Sequence, residues 1–310
     1  MAPGHCSVCD SPAGERVRRL LLPGTLRKYP ATAFLLGINF AAFLGMMVTT
    51  GSVVQFSALS LLRWGGNFGP ATIGGEYWRL ITASFIHAGI LHIGINMWCL
   101  YALGPVCERV FGGLQTVAIY LLTGTVGFLS GLAHDPRMLA VGASGAIFGI
   151  AGTIVAGAKF GELSLSSAQK KTLIYVLIIF VVISFAGGGF SPGIDNMAPI
   201  GGFVSGLMIG FPLGSFARKH KLYQAGIFAA SCVIVLIAGH QVIRSHRGEG
   251  LLYLANTAAT LKDYGEAIQL LEQYRSIQPD DVEALISLGD LYSKTKQRDK
   301  AIHAYQHALE

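Results

Sequence analysis

Seven stretches of this chain contain no Asp, Glu, Lys or Arg, near residues 31–50, 84–104, 113–133, 143–158, 172–187, 197–214 and 222–243. A helix needs about 20 mainly apolar residues to cross the hydrocarbon core of a bilayer, and most of these stretches qualify. The pattern predicts an all-α protein, a polytopic membrane helix bundle with the lipid bilayer as its first partner. The stretch at 143–158 is short and carries Gly145, Gly149, Gly152 and Gly157. Small residues let helix backbones approach closely, so this helix is expected at the bundle centre. The first stretch lies too far in, and lacks a small-residue cleavage site, to read as a signal peptide.

The charges divide the chain. Charged residues make up 13% of it, against about 25% in an average soluble protein. Residues 1–250 hold 25 of the 40 charges, and the last 60 residues hold the other 15. A membrane domain followed by a small soluble domain is therefore expected, with segments at 1–30 (N-terminal), 31–214 (membrane core of six spans), 215–247 (linker and seventh span) and 248–310 (repeat tail). The net charge of +6 could point to nucleic acid. The basic residues sit between apolar runs, however, which is the pattern that sets membrane orientation, so no nucleic-acid partner is expected.

Counting Lys and Arg by loop puts 12 on the side of the N-terminus and 5 on the other. The positive-inside rule then places the N-terminus in the cytoplasm. Seven spans place the tail outside it, in what reads as a bacterial inner membrane. The connection at 51–83, with Trp64, Tyr77 and Trp78, reads as an interfacial loop on the outer side.

The tail repeats itself at an offset of 34: Leu254 meets Leu288, Ala267 meets Ala301 and Ile268 meets Ile302. That period of paired helices resembles the tetratricopeptide repeat. A stable stack usually needs about three units, so two units must lean on something else or be cut from a longer array. Such a tail would bind a peptide or protein partner.

Polar groups inside spans are costly and call for a reason. The second stretch holds His87, His92 and Asn96, the last two at i,i+4 on one helix face. The fourth begins Gly142-Ala143-Ser144-Gly145. Taken alone, Ser144 reads as a small packing residue. Together with Glu76-Tyr77-Trp78-Arg79, Glu108-Arg109, Phe148 and Gly201-Gly202 with Gly206, the ordered set resembles the rhomboid intramembrane serine proteases. The resemblance implies that Ser144 is a nucleophile acting on transmembrane protein substrates. It also implies an oxyanion site made by His92, Asn96 and the Ser144 N–H. Gly142 and Gly145 would keep the nucleophile loop open, and Gly202 and Gly206 would pack the sixth helix on the fourth. His87, Trp78, Arg79 and Phe148 would have structural roles, Trp78 and Arg79 as interface anchors. Glu108 and Arg109 are expected to pair with each other or with loop backbone.

One position departs from the family. Where it carries its base histidine, this chain reads Ala198-Pro199-Ile200-Gly201-Gly202. A serine hydroxyl is a weak nucleophile until a base takes its proton, and proline cannot do so. Asp195, four positions earlier, and a rewired His92 are the substitutes to consider; His220 lies too far along. The resemblance implies no cofactor and no metal, and His5, Cys6 and Cys9 supply fewer than the four ligands that close a structural zinc site. The competing classes are an intramembrane endopeptidase with impaired activity and a rhomboid-like protein that binds transmembrane segments without cutting them. A transporter would more often show an inverted repeat, and none is found.

Overall fold

The structure is a computed structural model describing residues 24–160, 165–186, 196–215 and 221–310. Among these residues it has fifteen α-helices and one two-residue strand pair. After α1 (Gly24–Lys28) comes the first long helix, α2 (Pro30–Thr50). The segment that follows folds into α3 (Ala58–Arg63), β1 (Asn67–Phe68), α4 (Gly69–Ile73), α5 (Arg79–Thr82) and a 3₁₀ turn (Ala83–Phe85). The long helices α6 (Ile90–Phe111) and α7 (Gly113–His134) lead to β2 (Leu139–Ala140), α8 (Ser144–Phe160), α9 (Ser167–Ala186), α10 (Met197–Ser215) and α11 (Lys221–Ser245). Helices α2, α6, α7, α10 and α11 are long and apolar enough to span a bilayer, and α8 is a shorter apolar helix.

The second apolar stretch, expected to begin near 84, becomes helical only at Ile90. Residues 83–89 form the 3₁₀ turn and a loop, so His87 lies ahead of the helix and not within it. These residues stay apolar because protein, not water, surrounds them: Ala83, Ser84, Ile86 and His87 are all buried. Non-helical backbone is tolerated at this depth where it is packed in protein. Tyr120 of α7 donates to the Ser84 carbonyl at 2.9 Å, and Asn39 of α2 donates to the Tyr120 hydroxyl at 3.2 Å.

Helix α8 sits in the centre, packed on α10 through glycines four residues apart. A Cβ at Gly202 would strike the Gly145 carbonyl, and one at Gly206 would strike the Gly149 carbonyl. Thr153 donates to the Gly206 carbonyl at 3.1 Å. Gly201 turns the other way, toward Ser130 of α7.

At the end of α6 far from Ser144, buried Glu108 accepts from the backbone N–H groups of Ala31 (2.9 Å) and Thr32 (2.8 Å) and from the Thr32 hydroxyl (2.8 Å). The first N–H groups of a helix have no partner within it, and Tyr29, which precedes α2, supplies no side-chain cap. Glu108 therefore caps the neighbouring helix instead of pairing with Arg109. Side chains one residue apart on a helix do not face each other. Glu108→Ala is expected to cost about 2 kcal/mol, the scale of losing hydrogen bonds to a charged group. Unfolding in detergent measures this. A variant as stable as the parent would contradict this account of the α2 terminus.

The tail forms two helix pairs, α12 (Arg247–Thr260) with α13 (Tyr264–Arg275), and α14 (Val282–Lys294) with α15 (Arg298–Leu309). Each pair turns on a lysine in the left-handed region, Lys262 at φ 65° and Lys296 at φ 62°. Asp263 and Asp281 cap α13 and α14. Tyr274 donates to Asp281 Oδ2 at 2.5 Å and Tyr292 to Glu272 Oε1 at 2.6 Å. Burial, then the bond to a carboxylate, pushes both phenols up from 10.0 to about 12. The Tyr274 hydroxyl in turn holds Asp281 below its ordinary 3.8.

A raised phenol stabilises fully below its unfolded value, and that contribution fades as pH climbs from 10.0 toward 12. A lowered carboxylate stabilises fully above 3.8, and its contribution fades as pH falls through the depressed value. Tail stability should therefore decline at both extremes. In a phenolate absorbance titration of the whole chain, Tyr292→Phe should remove one late-ionising group. An unchanged late amplitude would contradict the assignment.

Candidate active site

The nucleophile loop starts from the strand pair. Asn67 pairs with Ala140 and Phe68 with Leu139, antiparallel, and the chain leaves β2 directly into Gly142-Ala143-Ser144. The Gly142 N–H donates to the Ala83 carbonyl of the 3₁₀ turn at 2.9 Å. Gly142 has φ +120°, a region that favours glycine. A Cβ here would also meet His92 Cε1 and Nε2, each at 2.7 Å. The glycine thus allows the turn and lets the imidazole lie against the loop.

Ser144 opens α8 and is half-buried. Its hydroxyl has no hydrogen-bond partner among the described residues. Its own N–H lies at the positive end of the helix, where the first donors have no partner within the helix. Phe148, one turn on, is buried.

His92 faces this loop from the first turn of α6. Its Nδ1 accepts the Ala88 N–H at a long 3.4 Å. In the neutral ring that bond leaves the proton on Nε2, which with Cε1 forms the ring edge turned to Gly142. His92 so protonated presents an N–H toward the serine loop. Asn96, one turn further and buried, uses one amide N–H on the His92 carbonyl at 2.9 Å and keeps a second. Such donors suit an anion forming near Ser144. His87 is fully buried and packs its ring edge-to-face on His92, centroids 5.1 Å apart.

The position where the resemblance expects a base lies on α10. Pro199 is buried in the first turn of that helix, two residues after Met197. Proline fits there because the N–H it lacks would have had no helical partner. The preceding Ala198 carbonyl lies 3.2 Å from where a Gly145 Cβ would stand, so this turn abuts the start of α8. Among the described residues no side chain at this turn can accept the serine proton. Asp195 and His220 lie outside the described residues, as do His5, Cys6 and Cys9.

The expected interface anchors differ from each other. Trp78 is half-exposed, whereas Arg79 is only 6% exposed and turned inward. Its guanidinium bonds Glu76 at 2.8 and 2.6 Å, the Leu62 carbonyl at 2.7 Å and the Gly66 carbonyl at 3.0 Å, and lies 4.5 Å from the Trp78 ring. It staples the loop shut, a task that suits the planar fork of arginine.

Four residues that support the site were not singled out from the sequence. Asn39 and Tyr120 hold the 3₁₀ turn, and polar groups within apolar stretches were the signal for them. Gly250 and Tyr253 bring the tail onto the loops, and a glycine inside an otherwise helical pattern was their one local sign.

Known proteins resemble this chain in sequence. The family model for the rhomboid domain matches residues 74–216, and that for the tetratricopeptide repeat matches residues 258–310. The chain is 31% identical over 223 residues to "RHOMBOID-like protein 4" of Arabidopsis thaliana, covering 66% of this chain and 56% of that protein. It is 26% identical over 273 residues to "Rhomboid protease GluP" of Bacillus subtilis, covering 76% and 52%. The chain thus spans about half the length of these two curated relatives. With "Putative rhomboid protease YdcA" of Bacillus subtilis it shares 30% identity over 187 residues, 60% of this chain and 89% of the relative. A buried serine-bearing helix packed through glycines, these family matches and a relative aligned over nearly its whole length agree: the chain is a multi-pass, all-α member of the rhomboid family, with tetratricopeptide repeats in its tail.

Proposed function

We propose that the chain carries the site of an intramembrane serine endopeptidase, with Ser144 as nucleophile, disabled in large part at the proton-transfer step. The observation that carries this reading is His92 Nε2 set against Gly142, two residues before Ser144. The Nε2–H, the second amide N–H of Asn96 and the Ser144 N–H form the oxyanion site. Substrates are transmembrane segments of other proteins, cut near the outer membrane face, and the tail binds a protein partner. Pro199 leaves the hydroxyl without a base, and losing that function in a serine protease costs on the order of 10⁴–10⁶ in rate.

The same Pro199 favours a second reading, a rhomboid-like protein that holds transmembrane segments without cutting them. Cleavage of a generic transmembrane substrate by the purified chain, by Ser144→Ala and by Pro199→His separates the two. Cleavage by Pro199→His alone supports the protease site with a missing base. Cleavage by the unaltered chain, lost in Ser144→Ala, would make Asp195 or His92 the base to test. No cleavage by any form leaves the binding reading.

The tail and the Ser144 loop share one side of the membrane in this reading, with the N-terminus in the cytoplasm. The support is that α12 touches Phe68, Ile73, Gly74, Glu76 and Arg137. Asn256→Cys, at an exposed tail position, should react in intact cells with a reagent that cannot cross membranes. Protection would overturn the orientation.

A further inference from the structure

The tail does not hang free of the membrane domain. Its first helix, α12, lies on the two loops that frame the nucleophile. Glu249 takes Arg137 through both carboxylate oxygens, at 2.9 to 3.1 Å. Tyr253 donates to Glu76 Oε1 at 3.2 Å while the other Glu76 oxygen holds Arg79. The Tyr253 ring meets Phe68 of β1 edge-on, centroids 6.1 Å apart. Between these ties Gly250 presses on α4: a Cβ here would meet Ile73 Cγ2 at 2.8 Å and the Gly74 N at 2.9 Å.

These ties have a common target. Phe68 is in β1, and Arg137 stands two residues before β2. Tyr253 reaches Glu76, which orients the arginine that staples the loop around Gly66. The paired strands deliver Gly142 and Ser144. Arg137 is 72% exposed, and an exposed ion pair contributes little alone. The close approach at Gly250 and the buried faces of Ile73 and Leu251 supply the grip.

We propose that α12 is a positioning element for the serine loop, holding the β1–β2 clasp through Gly250, Glu249 and Tyr253. The inference rests on the protease reading for its effect on catalysis, but not for its effect on the clasp. Removing α12 from the loops loosens the clasp and displaces Ser144 from the oxyanion donors, so turnover falls while substrate affinity holds.

The test uses the full chain with Gly250→Leu, a wedge that should also strengthen the helix itself, since glycine is a poor helix former. Thr257→Leu, exposed on the same helix, is the control. Hydrogen exchange at 67–69 and 138–142 should quicken on the order of ten-fold in Gly250→Leu alone, with the amides of α13 to α15 unchanged. In the Pro199→His background, kcat should fall on the order of ten-fold with KM unaltered, consistent with misplacement at the reacting centre. If Gly250→Leu unfolds the tail, Glu249→Gln with Tyr253→Phe removes the polar ties without a wedge and should quicken the same amides. Arg137→Glu should do likewise, and adding Glu249→Arg should restore protection. Unchanged exchange at these strands in the folded variants overturns the proposal. So does a rise in KM with kcat intact. If no Pro199→His form cuts, the protease reading fails, and the exchange data alone judge the clasp.

Discussion

Pro199→His should raise the cleavage rate of a transmembrane substrate by about 10³-fold or more, and adding Ser144→Ala should abolish the gain. The reasoning follows the proton. In acyl transfer a base must take the hydroxyl proton as the oxygen attacks, and an acid must protonate the departing amine. Proline does neither, while the oxyanion donors remain. Each such donor is worth on the order of 10²–10³, but only once charge develops on the carbonyl oxygen. The Ala198–Pro199 turn abuts Gly145, so an imidazole at 199 stands on the helix turn packed against the start of α8.

The fold should accept the change, because the first turn of α10 loses no hydrogen bond when proline is replaced. Purified protein and a quenched transmembrane peptide measure the rate. A folded Pro199→His protein with no gain would mean that Ser144 is not placed for attack, and the noncleaving reading would stand.

Gly206→Val should unfold or severely weaken the membrane bundle, at a cost of about 3 kcal/mol or more. The side chain would drive into the Gly149 carbonyl. That obstacle is backbone within a helix, so no side chain can swing away. Either α10 moves off α8 or both helices bend, and the tight pairing of Gly202 with Gly145 is lost with it. Gly226→Ala is the matched control: its Cβ meets nothing within 4 Å, and better helix propensity should leave the protein unharmed or steadier. Heat inactivation in detergent compares the two. Equal half-lives would contradict the packing account.

The membrane helices were readable because charge exclusion is enforced by the solvent, residue by residue. The central place of α8 was readable from its glycines, since small residues permit close approach, while its pairing with α10 came only with the family resemblance. The placement of His87 was misread for a related reason. The loop at 83–89 is buried in protein, so it carries the same apolar composition as a span. Glu108 was expected to meet Arg109 or loop backbone; it meets backbone, because a buried carboxylate goes where unsatisfied N–H groups are, and those belong to the start of a helix 76 residues away. The tail docking was nearly silent. Glu249 and Arg137 are 112 residues apart, and each alone looks like an ordinary surface charge. Gly248 and Gly250 broke the helical pattern.

Helix α11 ends at Ser245 and α12 begins at Arg247, with His246 alone between them. So short a joint makes the docking of the tail an intramolecular event. Short linkers hold attached modules at effective concentrations of about millimolar. Even a tail surface of modest affinity for the loops is therefore engaged for much of the time. The balance is correspondingly easy to move: a partner that favours the released tail by about 1.4 kcal/mol shifts it ten-fold. The one-residue joint makes the tail a tethered ligand of its own membrane domain, held where its site always lies within reach.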